Sequence, residues 1–194
     1  MSRYGDAVSA MRVGLPATPE LRHYVRFGTL ASNSHNTQPR RFRLGADTID
    51  ILPDFSRRTP IVDPDDHHLY VTLGCAAQNI VIAANASDRP AASSLTTDGG
   101  EGTAIRVLLG SGLGMGHRSD ADLCSAIPVR QSTRSEYDGH ALSGSELRQL
   151  ERAAAMPGVD VLLITERPRV EQALEFIQRG SSAPPNSHDA WPTT

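Results

Sequence analysis

Lysine is missing from this chain: all 19 of its basic residues are arginine. The absence removes whole classes of chemistry. A Walker-type phosphate loop needs its GK[ST] lysine, and pyridoxal phosphate enzymes and Schiff-base aldolases need an amine nucleophile. Any phosphate held here is held by Arg, Ser or backbone N–H. A GC-rich coding bias accounts for the deficit, together with the abundant Ala, Arg, Gly and Pro. Cysteine is almost as scarce. Cys75 and Cys124 stand far apart, without CxxC or Cys/His ligand spacing, which excludes a disulfide framework and a structural zinc site and leaves two buried free thiols as the expectation. Long apolar runs are lacking too. None approaches the roughly 20 residues of a spanning helix, and the start MSRYGDAVSAMRVG has no signal-peptide core, so the expectation is a cytoplasmic protein without a membrane partner. Charge of one sign is also lacking: a net charge of -3 gives no electrostatic footprint for nucleic acid.

What is present is a globular composition, 39% hydrophobic and 21% charged, in a chain of 194 residues that can bury a sizeable core. The sequence predicts one domain over residues 1–179 and a disordered tail over 180–194, where SSAPPNSHDAWPTT lacks both period and apolar residues. Thr18-Pro19-Glu20 reads as a helix start, with Thr18 as N-cap and Leu21, Tyr24, Val25 and Gly28 following at helical spacing. Residues 31–38 form an irregular connection. Phe42 and Leu44, a Gly45-Ala46-Asp47 turn, and Ile49 and Ile51 alternate as a β-hairpin should.

Asp63-Pro64-Asp65-Asp66 opens the longest helix, whose apolar residues run from Leu69 to Ala84 at helical period. Residues 87–103 read as a loop and Ile105 to Leu109 as a strand. A short helix is expected at Asp122 to Ile127, a capping-box helix from Ser143 through Ala155, a strand at Val159 to Ile164 and a helix around Val170 to Ile177. The expected order is α, β, β, α, β, α, β, α.

Chemistry concentrates in the loop Ser34-His35-Asn36-Thr37-Gln38-Pro39. Asn and Gln each offer donor and acceptor, so they can match the alternating carbonyl and N–H edge of an isoalloxazine ring, with Pro39 stiffening the loop. The same residues are also ordinary loop formers that bond their own backbone. Other constellations are weaker. The acids Asp63, Asp65 and Asp66 beside His67 and His68 are explained by a helix start before any metal is needed. Ser34 beside His35 lacks a G-x-S-x-G elbow, and the glycines from Gly110 to Gly116 miss the dinucleotide spacing.

SNSHNTQPRRF (Ser32 to Phe42) resembles the APS-x-HNTQPW-RF signature of nitroreductase-like flavoproteins, in particular the Acg-type branch of actinobacteria. Asp63-Pro64-Asp65-Asp66 through Gly74-Cys75-Ala76-Ala77-Gln78-Asn79 is similar to that branch's DP-x-x-R-E-L…GCA-x-x-N segment, and Arg130-Gln131-Ser132-Thr133-Arg134 to its R-x-S/T-x-R segment. The resemblance covers roughly Leu21 to Ile177. It implies an α+β, nitroreductase-like sandwich that binds FMN noncovalently and transfers hydride from NAD(P)H through the flavin to nitro or quinone acceptors. It also implies that His35, Asn36, Gln38, Pro39, Arg40, Arg41 and Phe42 contact the flavin, and that Arg130, Ser132 and Arg134 contact its phosphate. Alternating Arg, Ser and Arg in an extended segment suits an anion, although a solvated basic segment reads equally well from the residues alone. No catalytic residue and no metal ligand is assigned.

Two departures from the family pattern shape the expectation. Arg40 stands where the family has Trp, exchanging a large aromatic for a fixed charge. Acg-type proteins resemble two fused nitroreductase halves, and this chain supplies about one half plus the start of the second. The implied partner is therefore a second copy of the chain, a homodimer completing the flavin site, with a small-molecule electron acceptor as substrate. The alternative is a truncated flavin-binding or flavin-sequestering protein without reductase turnover.

Overall fold

The structure is a computed structural model that describes residues 3–97, 102–110, 118–133, 135–155 and 158–182. It divides into two units, Met1–Thr133 and Arg134–Thr194. The first contains α1 (Arg3–Met11), α2 (Leu21–Thr29), β1 (Arg40–Leu44), β2 (Thr48–Pro53), α3 (His67–Asn85), β3 (Ala91–Thr96), β4 (Ala104–Leu109) and α4 (Arg118–Ala126). Helices over a wholly antiparallel sheet of order β1-β2-β4-β3 make an α+β fold, in agreement with the expected class.

The β1–β2 hairpin forms as its alternation requires: Phe42 lies opposite Ile51 and Leu44 opposite Ile49. One face of the sheet carries Ile49, Ile51, Val107 and Leu109, all essentially inaccessible, and packs on α3. That helix is apolar nearly all round because it lies between α2, α4 and the sheet. Gly28 makes the closest approach. A Cβ there would sit 3.0 Å from Ile80 Cδ1 and 3.3 Å from Phe42 Cε1, so its bareness lets α2, α3 and β1 converge. Arg26 ties the segment after α1 to α2 by donating to the carbonyls of Met11, Val13 and Gly14.

The other face of the sheet is charged. Arg43, Asp50 and Arg106 face one another across three strands. Asp50 is only 4% exposed; it accepts from Arg106 Nε at 2.7 Å and from Arg43 Nη2 at 2.8 Å. These contacts, the Arg106 hydrogen bond foremost, hold its carboxyl below the usual carboxylate range.

Several elements differ from expectation. The N-cap of α2 is Glu20, not Thr18; its N–H donates to His23 Nδ1 at 2.9 Å. Part of the 87–103 stretch is strand β3, an edge strand whose Ser- and Ala-rich solvated positions look like a loop in sequence but whose ladder comes from β4. α1 was not anticipated, and α4 starts earlier than Asp122. In the second unit, α5 (Gly144–Ala154) has the expected capping box: Ser143 N–H donates to Glu146 Oε2 at 2.7 Å and Glu146 N–H to Ser143 Oγ at 3.3 Å. The strand expected at Val159 to Ile164 does not form. Only Val159 makes an isolated bridge, because apolar β-branched residues become a strand only when a neighbour supplies a ladder. α6 (Arg167–Ser182) runs through Gly180, past the point where the apolar pattern fades; the rest of the expected tail, like the glycine run after Gly110, lies outside the described residues. Among the described residues of this unit none is buried, and among all described residues no helix is long and apolar enough to cross a membrane.

Candidate functional site

The connection from α2 to β1 holds an unusual backbone. His35 (φ 51°), Asn36 (φ 55°) and Gln38 (φ 51°) all occupy the left-handed region without being glycine. Asn tolerates this conformation; His and Gln hold it at a cost of order 1–3 kcal/mol each, so the surroundings must over-determine it. They do so through a chain of hydrogen bonds. Thr37 N–H donates to Ser34 O at 3.2 Å and Gln38 N–H to Asn33 Oδ1 at 2.9 Å. Gln38 Nε2 donates to Asn36 Oδ1 at 3.0 Å, and Arg40 Nη2 donates to Gln38 Oε1 at 2.9 Å. Both amide oxygens are thus engaged inside the loop. What it offers outward is the Asn36 amide nitrogen, a donor, and, on an exposed apex, the His35 imidazole, which can give and accept one hydrogen bond each.

A second layer of contacts anchors the loop to the C-terminal end of α2, where unpaired carbonyls and the helix dipole attract cations. Arg40 Nη2 donates to Thr29 O and Ala31 O, both at 3.0 Å. Arg130 Nη2 donates to Leu30 O at 2.9 Å while its Nη1 reaches Ser132 Oγ at 3.3 Å. Asn79 Nδ2 donates to Phe27 O at 3.1 Å. The structure therefore brings the two segments singled out in the sequence to the same helix end within one chain. Arg134 lies outside the described residues.

Pro39 and Arg40 are buried, Gln38 and Phe42 half-buried, and His35, Asn36, Arg41, Arg130 and Ser132 exposed. Arg40 is thus no surface cation. Its Nε and Nη1 are enclosed without a hydrogen-bond partner, and burial lowers its pKa to about 10, a fall that charge interaction with Cys75 partly offsets. At neutral pH it remains a cation, turned inward as a clip between loop and helix.

Beside the loop, next to the edge strand β1, lies an open cavity of about 430 Å³. Thr29, Gln38 and Phe42 contribute to its wall, and so do Arg40, Arg41, Asp54 and Arg57. Its volume falls in the roughly 300–1,000 Å³ range of small-molecule sites. Sequence reading missed Asp54 and Arg57, which follow the hairpin in a short 3-10 turn capped by Asp54. Asp54 Oδ1 accepts from Ser56 Oγ at 2.6 Å, and that hydroxyl chiefly holds its carboxyl below the usual range. Residues in a polar link between a strand and a helix carry no periodic signal that could have marked them. A larger cavity of about 620 Å³, bordered by Leu15, Phe27 and Cys124, contains none of the expected site residues.

The acids ahead of α3 serve the helix, as their position suggested. Asp63 accepts from His68 N–H at 2.9 Å and Leu69 N–H at 3.0 Å, and Asp65 from His67 N–H at 3.3 Å. Among the described residues no group of three or more His, Cys, Asp or Glu could hold a metal ion.

No family model matches the chain. It is similar to two Mycobacterium tuberculosis proteins, from strains CDC 1551 and H37Rv, each provisionally named an NAD(P)H nitroreductase. Identity to each is 26% over 157 residues, which cover 80% of this chain and 45% of the relative. The chain therefore spans less than half the length of the curated relatives it matches.

Proposed function

We propose that the chain is a nitroreductase-like protein that binds FMN at the loop from His35 to Phe42. The observation that carries this reading is the loop itself: a left-handed, hydrogen-bonded backbone held rigid beside a cavity whose charged side chains are mostly guanidinium. The donor set fits the cofactor. A flavin mononucleotide presents two ring carbonyls and a phosphate as acceptors beside one ring N–H donor, and the loop, with the amide oxygens of Asn36 and Gln38 engaged internally, keeps the Asn36 amide nitrogen to meet a carbonyl. When bound, FMN supplies a two-electron carrier that accepts hydride from NAD(P)H and reduces nitro or quinone acceptors.

In this reading Asn36, Gln38 and Arg41 face the cofactor, Phe42 provides apolar surface, and His35 stands at the rim. Pro39 and Arg40 set the loop's geometry from behind. Arg130 and Ser132 brace the helix end on which the loop rests, with Arg134 as the continuation of that segment. The complete site is proposed to form between two copies of the chain. A charged Arg40 at the position of the family pattern's Trp favours, as a second reading, a protein that binds flavin without turnover.

The test is direct. A purified sample should be yellow or become so with added FMN, release flavin on denaturation, and sediment as a dimer when loaded. Bleaching of the colour by NAD(P)H and its return with a nitroaromatic or quinone establishes turnover; retained colour without bleaching establishes the second reading. A colourless sample that ignores FMN refutes both, and a monomer holding stoichiometric FMN refutes the shared site.

A further inference from the structure

Arg40 carries more donors than its surroundings use. Nη2 is engaged with Thr29 O, Ala31 O and Gln38 Oε1, while Nε and Nη1 are enclosed without an acceptor in a residue that is 7% exposed. Buried N–H groups almost always find partners, and an exception calls for a reason, of which redox chemistry nearby is one.

The neighbour able to supply acceptors is Cys75. α2 and α3 run antiparallel: Tyr24 Oη and Ser87 Oγ share a hydrogen bond at 2.9 Å, Asn79 Nδ2 donates to Phe27 O at 3.1 Å, and Ser34, Thr37 and Pro39 border the same small gap as Leu69 and Thr72. One helical turn back from Asn79 is Cys75. One turn on from Phe27 is Ala31, whose N–H closes a final tight turn on Gly28 O at 3.2 Å and whose carbonyl holds Arg40 Nη2 at 3.0 Å. Cys75 therefore stands level with the Arg40 guanidinium, half-buried on the side of α3 that meets α2. Their charges act on each other: burial lowers the Arg40 pKa to about 10, and the charge of Cys75 pushes it back up. A thiol is a weak acceptor, so the reduced residue leaves those N–H groups unmet, whereas oxygens on the same sulfur would meet them.

We propose that Cys75 is a site of oxidation by hydroperoxides and that Arg40 receives the oxygens added to its sulfur. The thiolate attacks one oxygen of hydrogen peroxide. An S–O bond forms, the O–O bond breaks, and the departing hydroxide takes the sulfenic proton and leaves as water. Sulfur loses the two electrons that the peroxide gains. A second peroxide carries the sulfenate to a sulfinate in the same way, again releasing water. Each product is an anion level with a buried cation whose free N–H groups donate to it. Cys124 is the contrasting thiol: it is 8% exposed, burial pushes its pKa up, and it stays reduced. The inference does not depend on flavin binding.

The experiment treats the purified full chain with hydrogen peroxide and traps sulfenic acid with dimedone, read by peptide mass spectrometry. Cys75 should be labelled at least about tenfold faster than Cys124, the margin that its greater exposure and thiolate access allow. A double-mutant cycle then measures the coupling to Arg40. Cys75→Asp places a carboxylate where the sulfinate forms, and Cys75→Asn is its neutral isostere. The ratio of their folding equilibrium constants in urea, Asp over Asn, should be at least about tenfold higher with Arg40 than with Arg40→Met, as a charge-assisted hydrogen bond implies. If Arg40→Met does not fold, amide exchange decides: peroxide should slow exchange in residues 31–38 of the wild type and leave it unchanged in Cys75→Ser, because a further partner fixes Arg40 against the loop. A smaller labelling preference for Cys75 overturns the site. Labelling with a smaller coupling, or with loop exchange that peroxide does not slow where the cycle cannot be closed, overturns the role of Arg40.

Discussion

Replacing Arg40 by Met should leave global stability nearly unchanged while loosening the loop from Ala31 to Pro39. Two opposing effects decide this. Burial lowers the Arg40 pKa to about 10, which corresponds to roughly 3 kcal/mol by which the fold disfavours the cation relative to the unfolded chain. Below pH 10 that cost is fully present; it is relieved only as pH rises through the folded pKa toward the higher unfolded value, because there the unfolded chain binds the extra proton. Against it stand the contacts of one atom, Nη2, with Thr29 O, Ala31 O and Gln38 Oε1. Two hydrogens serve three acceptors, worth roughly 1.5–3 kcal/mol for a charged donor. The terms are nearly equal, and Met keeps much of the buried volume. Urea unfolding at neutral pH should therefore change by no more than about 1 kcal/mol, while amide exchange in residues 31–38 accelerates by about tenfold or more as the left-handed turns lose their clip. A loss of about 3 kcal/mol or more in global stability with unchanged exchange in the loop would refute the reasoning, since it would make Arg40 part of the core's own support.

Asp50→Ala should cost about 2 kcal/mol in denaturant unfolding, because it removes the charge-assisted hydrogen bonds that Arg43 and Arg106 make to a buried carboxylate. With its folded pKa depressed, the wild-type Asp50 contribution should be complete above about pH 5 and fade as pH falls through the unfolded and then the folded pKa; unfolding curves at stepped acid pH check this, and a variant with the same acid profile as wild type contradicts it. Asp63→Ala removes the acceptor of two first-turn amides of α3 and should lower stability by about 2 kcal/mol, read by thermal melting. At Gly28, Ala should cost about 1 kcal/mol, since its Cβ would stand 3.0 and 3.1 Å from Ile80 Cδ1 and Cγ1 and 3.3 Å from Phe42 Cε1. Val should destabilise by about 2 kcal/mol, and equal melting temperatures for the two variants would show that the approach of α2 to β1 is looser than described.

The parts of the fold that were legible are those where one local signal and one burial pattern agree. The hairpin alternation of Phe42, Leu44, Ile49 and Ile51 and the apolar period from Leu69 to Ala84 encode which side is buried, and burial is what the core enforces. Strand β3 was illegible because an edge strand with Ser93 and Ser94 facing solvent has no apolar stripe to show, and its existence depends on β4. Val159 to Ile164 failed in the opposite sense: the residues are apolar and β-branched, yet strand formation is a property of a pair, and among the described residues this unit supplies no partner.

At the candidate site, the sequence marks the loop but not the hydrogen bonds inside it. Asn36 and Gln38 read as amides free to meet a ligand's edge, because nothing in their spacing shows that Gln38 bridges Asn36 to Arg40. Arg40 is the reason. At a position where a tryptophan would fill space passively, a guanidinium has donors that must find acceptors, and the nearest are the terminal carbonyls of α2 and the Gln38 oxygen. Satisfying them draws the Gln38 acceptor inward. Arg40 thus holds the Gln38 acceptor inside the loop, and Gln38 in turn holds the Asn36 oxygen.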